Sequence, residues 1–219
     1  MTTYLRRMFY LPNTPLWMRI IFPSGVVWKG DAADNAVYLT FDDGPDPEVT
    51  SFVLDQLEQY NFKATFFCIG DNVALHPKTF EQVKAAGHAI GNHTMHHSNG
   101  WTTNNKAFVD EILEANELIQ ADLFRPPYGK ITSAQARLLK TKRSASEDGF
   151  KIIMWSVIAG DWDDKVDGNI CYQRIVKYTQ PGSIIVFHDS QKAFPRLKIA
   201  LPATLQWLKE KGFQPQLLR

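Results

Sequence analysis

Short apolar runs alternate with helix-like segments along most of this 219-residue chain. Strand-like runs occur at 37–41, 64–69, 89–90, 152–155 and 183–187, with a closing run at 213–218. Segments with apolar residues at helical spacing follow Pro47 and occupy 77–86, 105–120, 133–140, 169–178 and 199–211. This alternation predicts parallel strands joined by right-handed crossovers, and six or seven such units favour a barrel over an open sheet. We therefore expect an α/β fold, a distorted barrel of the (β/α)7 type.

Four polar clusters lie where predicted strands end. They are TFDDGP at 40–45, HTMHH at 93–97, RPPYG at 125–129 and the end of IIVFHD at 184–189. Ligands bind at the carboxyl ends of parallel strands in barrels and in open sheets, so we expect the active site there. That edge would collect two carboxylates, two spaced histidines, an arginine and a third histidine. Such a set suits hydrolysis at a metal ion.

The overall charge limits the classes of partner. The chain has 24 basic and 23 acidic residues and a net charge of +1, so no large field is present to hold nucleic acid or an anionic membrane. Its length and its hydrophobic fraction of 44% fit one domain with a substantial core. Cys68 follows a strand-like run and Cys171 lies in a helical segment, and we expect both to be buried thiols.

Residues 1–30 form a separate N-terminal arm ahead of a catalytic domain at 31–219. Prolines and one arginine interrupt its apolar content, so neither a secretory signal nor a spanning helix is predicted. We expect the mature protein to start here and to be cytoplasmic or membrane-peripheral. We favour packing of the arm across the barrel, and contact with a membrane surface is the alternative. The side chains concerned are Trp17, Met18, Ile20, Ile21, Phe22 and Trp28.

His93 and His97 are four residues apart in the HTMHH run. On one helical turn this spacing points both imidazoles the same way, so the two residues can share one metal ion. A divalent ion also needs a third ligand and an open position, and a carboxylate from another strand end supplies that ligand. His96 is turned away from the pair. Taken alone, the run fits a solvated, histidine-rich loop equally well.

Asp42 and Asp43 precede a Gly-Pro pair that breaks the strand, so both carboxylates can turn toward the same edge. One carboxylate can bind the metal while its neighbour stays free to take a proton from water. The alternative interpretation is a turn cap, because Asp-Asp-Gly-Pro is also favourable turn chemistry.

Arg125 and His188 also have structural alternatives. Taken alone, Arg125 fits a surface ion pair, and His188 fits a core histidine bonded to backbone.

Together these motifs resemble the polysaccharide deacetylase family, which is NodB-like and is also called carbohydrate esterase family four. The matching order is TFDDGP, then HTxxH about fifty residues on, then RPPYG, a DW pair and a hydrophobic run ending in HD. The match spans 37–213. The resemblance implies an enzyme that removes N-acetyl groups from an amino-sugar-containing glycan. It also implies one divalent metal ion that activates the attacking water, zinc first, with cobalt, nickel or manganese as alternatives.

The resemblance assigns the residues around the metal. Asp43 would bind the ion together with His93 and His97. Asp42 would be the general base, and Arg125 would orient it. These roles are implied by the family pattern at the matching positions of this sequence.

The resemblance also assigns the residues on the leaving-group side. His188 would be the general acid, oriented by Asp161, and the backbone N–H of Tyr128 would help hold the oxyanion. Apart from the resemblance, Trp162 follows a predicted site loop, where it would line an acyl pocket or stack on a sugar ring, and a place in the core is the alternative. The chain departs from the family pattern at Ile158, where many members carry the first aspartate of DxxDW, so this loop is less polar than usual.

Alternative functions remain open from the sequence. The same scaffold and metal centre fit an O-acetyl carbohydrate esterase or a hydrolase of another carbon–nitrogen amide. A non-catalytic sugar-binding protein is less favoured, because all of the motif residues that carry chemistry are intact. The expected partner in each case is an acetylated carbohydrate or a small amide, with no nucleic acid.

Overall fold

The computed structural model describes residues 12–14, 22, 25–141 and 149–219. Its strands are β1 (Ala36–Asp42), β2 (Thr65–Cys68), β3 (Ala89–Asn92), β4 (Leu123–Phe124), β5 (Lys151–Ile152), β6 (Val157–Ile158), β7 (Ile184–His188) and β8 (Gln214–Pro215). Its α-helices are α1 (Val49–Gln59), α2 (Gly70–Leu75), α3 (Pro77–Ala85), α4 (Asn105–Ile119), α5 (Ser133–Lys140), α6 (Gly168–Tyr178) and α7 (Phe194–Glu210). Single 3-10 turns occur at Ala33–Asn35 and Pro127–Gly129.

The strands pair in parallel in the order β5-β4-β3-β2-β1-β7-β6, and β8 pairs with the start of β1. Among the described strands, β5 and β6 lie at the two edges and do not pair with each other. The sheet therefore curls into a part-barrel that is open between these edges. The predicted α/β fold with parallel strands is confirmed, in this incompletely closed form.

β1 is central to the sheet, and all seven of its residues are buried, as expected for a parallel strand that is covered on both faces. Side chains alternate along a strand. Val37, Leu39 and Phe41 pack into the large core shared with the helices α1 and α7, whereas Ala36 and Tyr38 belong to a cluster on the opposite face. Asp42 has the parity of Tyr38, so the final side chain of β1 projects from the inner face.

The strand register brings the polar clusters to one edge. Asp42 is the pairing partner of His188 on β7, and Cys68 at the end of β2 is the partner of Asn92 at the end of β3. The next residue after Asn92 is His93. The prediction that the motifs meet at the carboxyl ends of the strands is therefore confirmed.

The described part of the N-terminal arm lies along the open side of the sheet. The N–H of Thr14 donates to the carbonyl of Ser156 at 3.1 Å, and the N–H of Val27 donates to the carbonyl of Ile152 at 2.8 Å. Trp28 is buried and contacts the ring of Phe22 edge-on, with the ring centroids 4.9 Å apart. Packing of the arm as a whole stays a prediction, because several of its apolar residues lie outside the described residues. These are Trp17, Met18, Ile20 and Ile21.

Some predicted elements were wrong in extent. The strand predicted at 152–155 ends at Ile152, and β6 at 157–158 was not predicted. Helix α2 was also missed, because six residues are too few to show helical periodicity. Helix α7 begins at Phe194 rather than at 199, with Pro195 in its first turn, where the missing N–H of a proline has no cost. No helix among the described residues is long and apolar enough to cross a membrane.

Candidate active site and metal centre

Three potential ligand atoms converge at the end of the sheet. Asp43 Oδ1 lies 3.2 Å from His97 Nε2 and 3.6 Å from His93 Nε2. The ligand atoms of all three residues lie within 4.8 Å of one another. Asp43 follows β1, and both histidines follow β3. The ends of β1 and β3, which flank β2 in the sheet, thus supply one carboxylate and two imidazoles to the same point.

The two histidines meet through a loop, and the expectation of a helical turn was wrong. The run from His93 to His97 has no helical assignment, and Thr94 and His97 have positive φ values of 68° and 59°. Helix α2 and helix α4 fix this loop: the N–H of Gly70 donates to the carbonyl of Thr94 at 2.9 Å, and the N–H of His96 donates to Glu111 Oε1 at 2.8 Å. The loop therefore achieves the convergence that one helical turn was expected to provide.

His96 points away from the pair, as predicted. Its Nδ1 lies 2.8 Å from Asp71 Oδ2, and both side chains are exposed. The hydrogen bond to Asp71 raises the pKa of His96 above its usual value. His96 therefore belongs to a surface ion pair.

The other nitrogen of each ligand histidine is already engaged. His93 Nδ1 lies 2.7 Å from the carbonyl oxygen of Arg125, so this nitrogen carries the hydrogen and donates it. His97 Nδ1 lies 3.1 Å from Tyr128 Oη. In the tautomer with hydrogen on Nδ1, the Nε2 lone pairs of both rings face Asp43. Hydrogen bonds of this kind commonly orient metal-ligating histidines.

The charge states of the cluster match a cation site. Burial opposes ionisation of Asp43, but the close contact with His97 and the positive charge of the nearby histidines outweigh it, so the pKa of Asp43 is lowered. Burial lowers the pKa of His93 to about 4 against the opposing influence of Asp42, so His93 is neutral near pH 7. An ionised carboxylate and a neutral imidazole are the forms that bind metals.

One unsatisfied atom shows that the cluster fits a metal ion. Among the described residues, Asp43 Oδ1 is one of few buried side-chain oxygens without a hydrogen bond of good geometry. An uncompensated buried carboxylate oxygen is costly. A divalent cation between Asp43, His93 and His97 would satisfy it with the N and O donors that zinc accepts.

Asp42 lies beside this cluster and is bound to a buried arginine. Arg125 Nη1 donates to Asp42 Oδ1 at 2.6 Å, and both side chains are almost fully buried. The interpretation of Arg125 as a surface ion pair is therefore wrong. Breaking a buried pair of this kind by removing one partner typically costs about 3–5 kcal/mol.

The guanidinium of Arg125 is fixed on every side. Nη1 also donates to Thr40 Oγ1 at 2.8 Å, and Nη2 donates to the carbonyl of Met154 at 3.1 Å. Its Cζ lies 4.1 Å from the centre of the Phe67 ring. Because the planar guanidinium cannot rotate away from these partners, Asp42 is held in one orientation.

His188 ends β7 and is paired with a buried carboxylate. Its Nδ1 lies 2.8 Å from Asp161 Oδ1, and its backbone N–H donates to Asp161 Oδ2 at 2.9 Å. Burial opposes the charged imidazolium, but the charge and hydrogen bond of Asp161 outweigh it and raise the pKa of His188 to about 9. His188 is therefore protonated near pH 7. The interpretation of His188 as a core histidine bonded to backbone is wrong.

Two aromatic side chains border the cluster. The half-buried ring of Trp162 contacts His188 edge-on at 4.7 Å between centroids. The exposed ring of Tyr128 contacts His97 in the same way at 4.7 Å. All nine predicted site residues thus lie at one end of the sheet.

A sequence model of the family described as polysaccharide deacetylase matches residues 29–145. The chain belongs to the polysaccharide deacetylase family.

Two curated relatives are informative within this family. A peptidoglycan-N-acetylglucosamine deacetylase of Bacillus cereus is 35% identical over 200 residues, which cover 88% of this chain and 91% of the relative. A chitooligosaccharide deacetylase of Rhizobium leguminosarum bv. trifolii is 33% identical over 156 residues, which cover 71% and 72% of the two chains.

A solved structure agrees with the fold. It is the crystal structure of a peptidoglycan N-acetylglucosamine deacetylase in complex with 4-naphthalen-1-yl-N-oxidanyl-benzamide. It superposes with a TM-score of 0.81 at 32% identity, covering 94% of this chain and 95% of that chain. The family predicted from the motifs is confirmed, and so is the α/β fold with parallel strands predicted from the alternation of strands and helices. The predicted enzyme class, a hydrolase of carbon–nitrogen bonds other than peptide bonds, agrees with these names.

The structure also shows polar residues at the site of this polysaccharide deacetylase that the sequence analysis left without a role. Asp189 is buried directly behind the loop that carries Asp42 and Asp43. Arg196 Nε donates to the carbonyl of Asp161 at 2.8 Å and so fixes the loop after β6. Asp189 had a sequence signal, because it is an acidic residue directly after a buried strand. Arg196 lies on helix α7 and had none.

The two cysteines agree with the sequence analysis. Cys68 and Cys171 are both buried and unpaired by disulfides. Neither belongs to the cluster of ligand atoms. Burial raises the pKa of the Cys68 thiol, and it raises that of Cys171 to about 12, so neither is a thiolate near pH 7.

Proposed function

We propose that this chain is a metal-dependent deacetylase that hydrolyses the acetamide group of N-acetylglucosamine units in a glycan. The observation that carries the proposal is the meeting of three features at one edge of the sheet: the Asp43, His93 and His97 cluster, the side chain of Asp42 held by Arg125, and the protonated His188. Amide hydrolysis needs an activated water, a base and an acid at one point. The names of the relatives, which are deacetylases of peptidoglycan N-acetylglucosamine and of chitooligosaccharides, support the amide bond of an N-acetyl group as the bond that is hydrolysed.

Asp43, His93 and His97 would hold one divalent ion. Zinc is the first choice because two imidazoles and one carboxylate form a donor set typical of catalytic zinc sites, and cobalt, nickel or manganese are alternatives. When bound, the ion would lower the pKa of water and stabilise negative charge that develops on the carbonyl oxygen. The hydrogen bonds at both Nδ1 atoms keep the two rings oriented for this task.

Asp42 would act as the general base. Its Oδ1 accepts a hydrogen bond from the guanidinium of Arg125, so Asp42 is held in place. Asp42 takes a proton from the attacking water in this role. Because Asp42 and His188 are partners on adjacent strands, base and acid lie side by side at the same edge.

His188 would act as the general acid. Nδ1 of the protonated ring donates a hydrogen bond to Asp161. The other ring nitrogen, Nε2, carries the proton that passes to the departing amine nitrogen. An amine leaves an amide poorly unless it is protonated, whereas an ester alkoxide depends less on an acid. The raised pKa of His188 therefore favours the amide over the O-acetyl ester as substrate.

Tyr128 and Trp162 would contact the acetyl group. None of the backbone hydrogen bonds between described residues uses the N–H of Tyr128, so this donor is available for the oxyanion. Tyr128 adopts a φ of 60° in its 3-10 turn. Trp162 packs against His188 and would form an apolar wall for the acetyl methyl.

Acetate release tests the proposal directly. The metal-free protein is loaded with zinc, cobalt, nickel or manganese in turn and mixed with chitooligosaccharides, peptidoglycan fragments or acetylxylan. We expect acetate from one or both N-acetylglucosamine glycans, with little from acetylxylan, whose acetyl groups are esters. Release from acetylxylan alone would identify an esterase instead, and stoichiometric metal without any release would identify a non-catalytic binding protein.

A further inference from the structure

Asp189 carries a buried carboxyl group that has no task in the proposed reaction. It follows His188 at the end of β7 and is 1% exposed. Both of its oxygens accept hydrogen bonds: Oδ1 from the N–H of Gly44 at 3.1 Å and Oδ2 from the hydroxyl of Thr50 at 2.6 Å. Its own N–H donates to the carbonyl of Asp42 at 3.0 Å. All three contacts go to residues 42–50, the segment that contains Asp43.

The backbone of this segment needs to be held. Asp43 has a φ of 80°, in the left-handed region that residues with a side chain rarely adopt. Such a conformation is unfavourable by itself and persists only where the surroundings determine it. Gly44 must remain a glycine, because a Cβ there would lie 2.1 Å from Asp189 Oδ2. The close approach of Asp189 to the backbone therefore depends on the residue that directly follows Asp43.

The segment is fixed by two separate sets of contacts. In the first set, Asp189 binds Gly44 and Thr50, and the hydroxyl of Thr50 in turn accepts from the N–H of Asp46 at 2.8 Å. In the second, Asn72 Nδ2 donates to the carbonyl of Asp43 at 2.7 Å. The peptide units before and after Asp43 are thus both immobilised. The direction of its side chain follows from these contacts.

We propose that Asp189 is a positioning residue for the metal centre. Through Gly44 and Thr50 it holds Asp43 in the backbone conformation that aims Oδ1 at the two histidine nitrogens. The inference rests on the proposed metal site, but it does not depend on which bond the enzyme hydrolyses. Hydrogen bonds behind a metal ligand typically change metal affinity about 10- to 100-fold when they are removed.

Zinc affinity of the metal-free protein tests this inference, measured by competition with a chromophoric chelator. Thr50→Val removes one donor to Asp189 and should weaken zinc binding about tenfold. Asp189→Ala removes both acceptors and should weaken it about 100-fold. Asp189→Asn keeps one acceptor oxygen, so its loss of zinc affinity should lie between those of Thr50→Val and Asp189→Ala. Thr50→Ser keeps the hydroxyl and should retain the wild-type affinity.

Thr204→Val is the matched control. Thr204 is a fully buried threonine of helix α7, and its hydroxyl has no hydrogen-bond partner among the described residues. This variant should bind zinc like the wild type. The melting temperature of each metal-free variant is recorded beside its affinity, because Asp189 and Thr50 can also stabilise the fold. A structural role alone would lower the melting temperature and leave zinc affinity unchanged.

The outcomes separate the inference from the proposed function. Weaker zinc binding by Thr50→Val and Asp189→Asn, with Thr50→Ser and Thr204→Val unchanged, supports the inference even where no substrate releases acetate. Zinc affinities within about twofold of wild type in Thr50→Val and Asp189→Asn would overturn it, whatever the activity. These two variants decide the matter if Asp189→Ala does not fold. A wild-type protein that binds no zinc would overturn the inference together with the metal centre.

Discussion

The two sides of the site differ in how complete they are. On the β6 and β7 side, His188 and Asp161 satisfy each other through two hydrogen bonds. On the β1 and β3 side, Asp43 Oδ1 is buried without a hydrogen bond of good geometry, and two histidine nitrogens face it. The polar groups of the proposed acid are thus satisfied by the fold alone, whereas those of the proposed metal site would be satisfied by a bound cation.

Two buried histidines show the same contrast in their protonation. The pKa of His93 is lowered to about 4, mainly by burial, whereas Asp161 raises the pKa of His188 to about 9 despite burial. Near pH 7, His93 is neutral and has a lone pair for a metal, and His188 is charged and has a proton to give. The two histidines differ in protonation because His188 is hydrogen-bonded to the carboxylate of Asp161, whereas His93 is hydrogen-bonded to a backbone carbonyl.

Removing a metal-side ligand should have the largest effect. His93→Ala deletes a buried nitrogen donor, so zinc affinity should fall at least about 100-fold and acetate release should be lost. Zinc binding is measured by chelator competition, with His188→Ala as the control that should bind zinc normally. Wild-type affinity in His93→Ala would show that the ligand set is different.

Removing the base should separate binding from turnover. Asp42→Asn keeps an oxygen that can accept from Arg125, so the metal should stay bound while kcat falls by about 10²- to 10⁴-fold. Metal content and acetate release are measured on the same sample. Loss of metal in this variant would mean that the two aspartates have exchanged roles.

Removing the acid should separate amides from esters. His188→Ala should lower the release of acetate from chitooligosaccharides by about 10²- to 10³-fold, because the amine then leaves unprotonated. Hydrolysis of an aryl acetate, whose leaving group needs no proton, should fall by less than about tenfold. Equal losses on the two substrates would argue against an amide as the natural substrate.

Changing the partner of the acid should give the smallest effect, a shift in pH dependence. In the proposed reaction His188 acts in its protonated form, so kcat/KM should decline as the pH rises through about 9. Asp161→Asn removes the charge that raises this pKa, so the decline should move to lower pH by about 1–3 units. A full pH profile of both proteins measures the shift. An unchanged alkaline limb would show that another group controls it.

Much of this site was predictable because motifs at the ends of parallel strands must meet at one edge. Asp42, His93, Arg125 and His188 each follow or end a strand-like run, and all four lie together in the structure. The β/α alternation was equally visible, since most strands and helices are long enough to show their period. The order of the motifs then identified the family.

The remaining features depend on contacts that no local pattern encodes. The loop from His93 to His97 needs a positive φ at Thr94. A glycine at this position would have indicated such a conformation, but a threonine does not. The strands β5 and β6 have two residues each, too few to show an alternation. Asp189 acts on Gly44, a residue 145 positions away in the chain, and only the pairing of β1 with β7 brings the two together.

A zinc titration that follows bound metal and acetate release together tests the central claim most directly. Metal-free protein is titrated with zinc in the presence of a mixture of chitooligosaccharides and peptidoglycan fragments that carry N-acetyl groups. If Asp43, His93 and His97 hold the single catalytic ion, acetate release should rise in proportion to bound zinc and reach its plateau at one zinc per chain. Full activity in the metal-free protein, or a plateau of bound zinc without acetate release, would contradict the account.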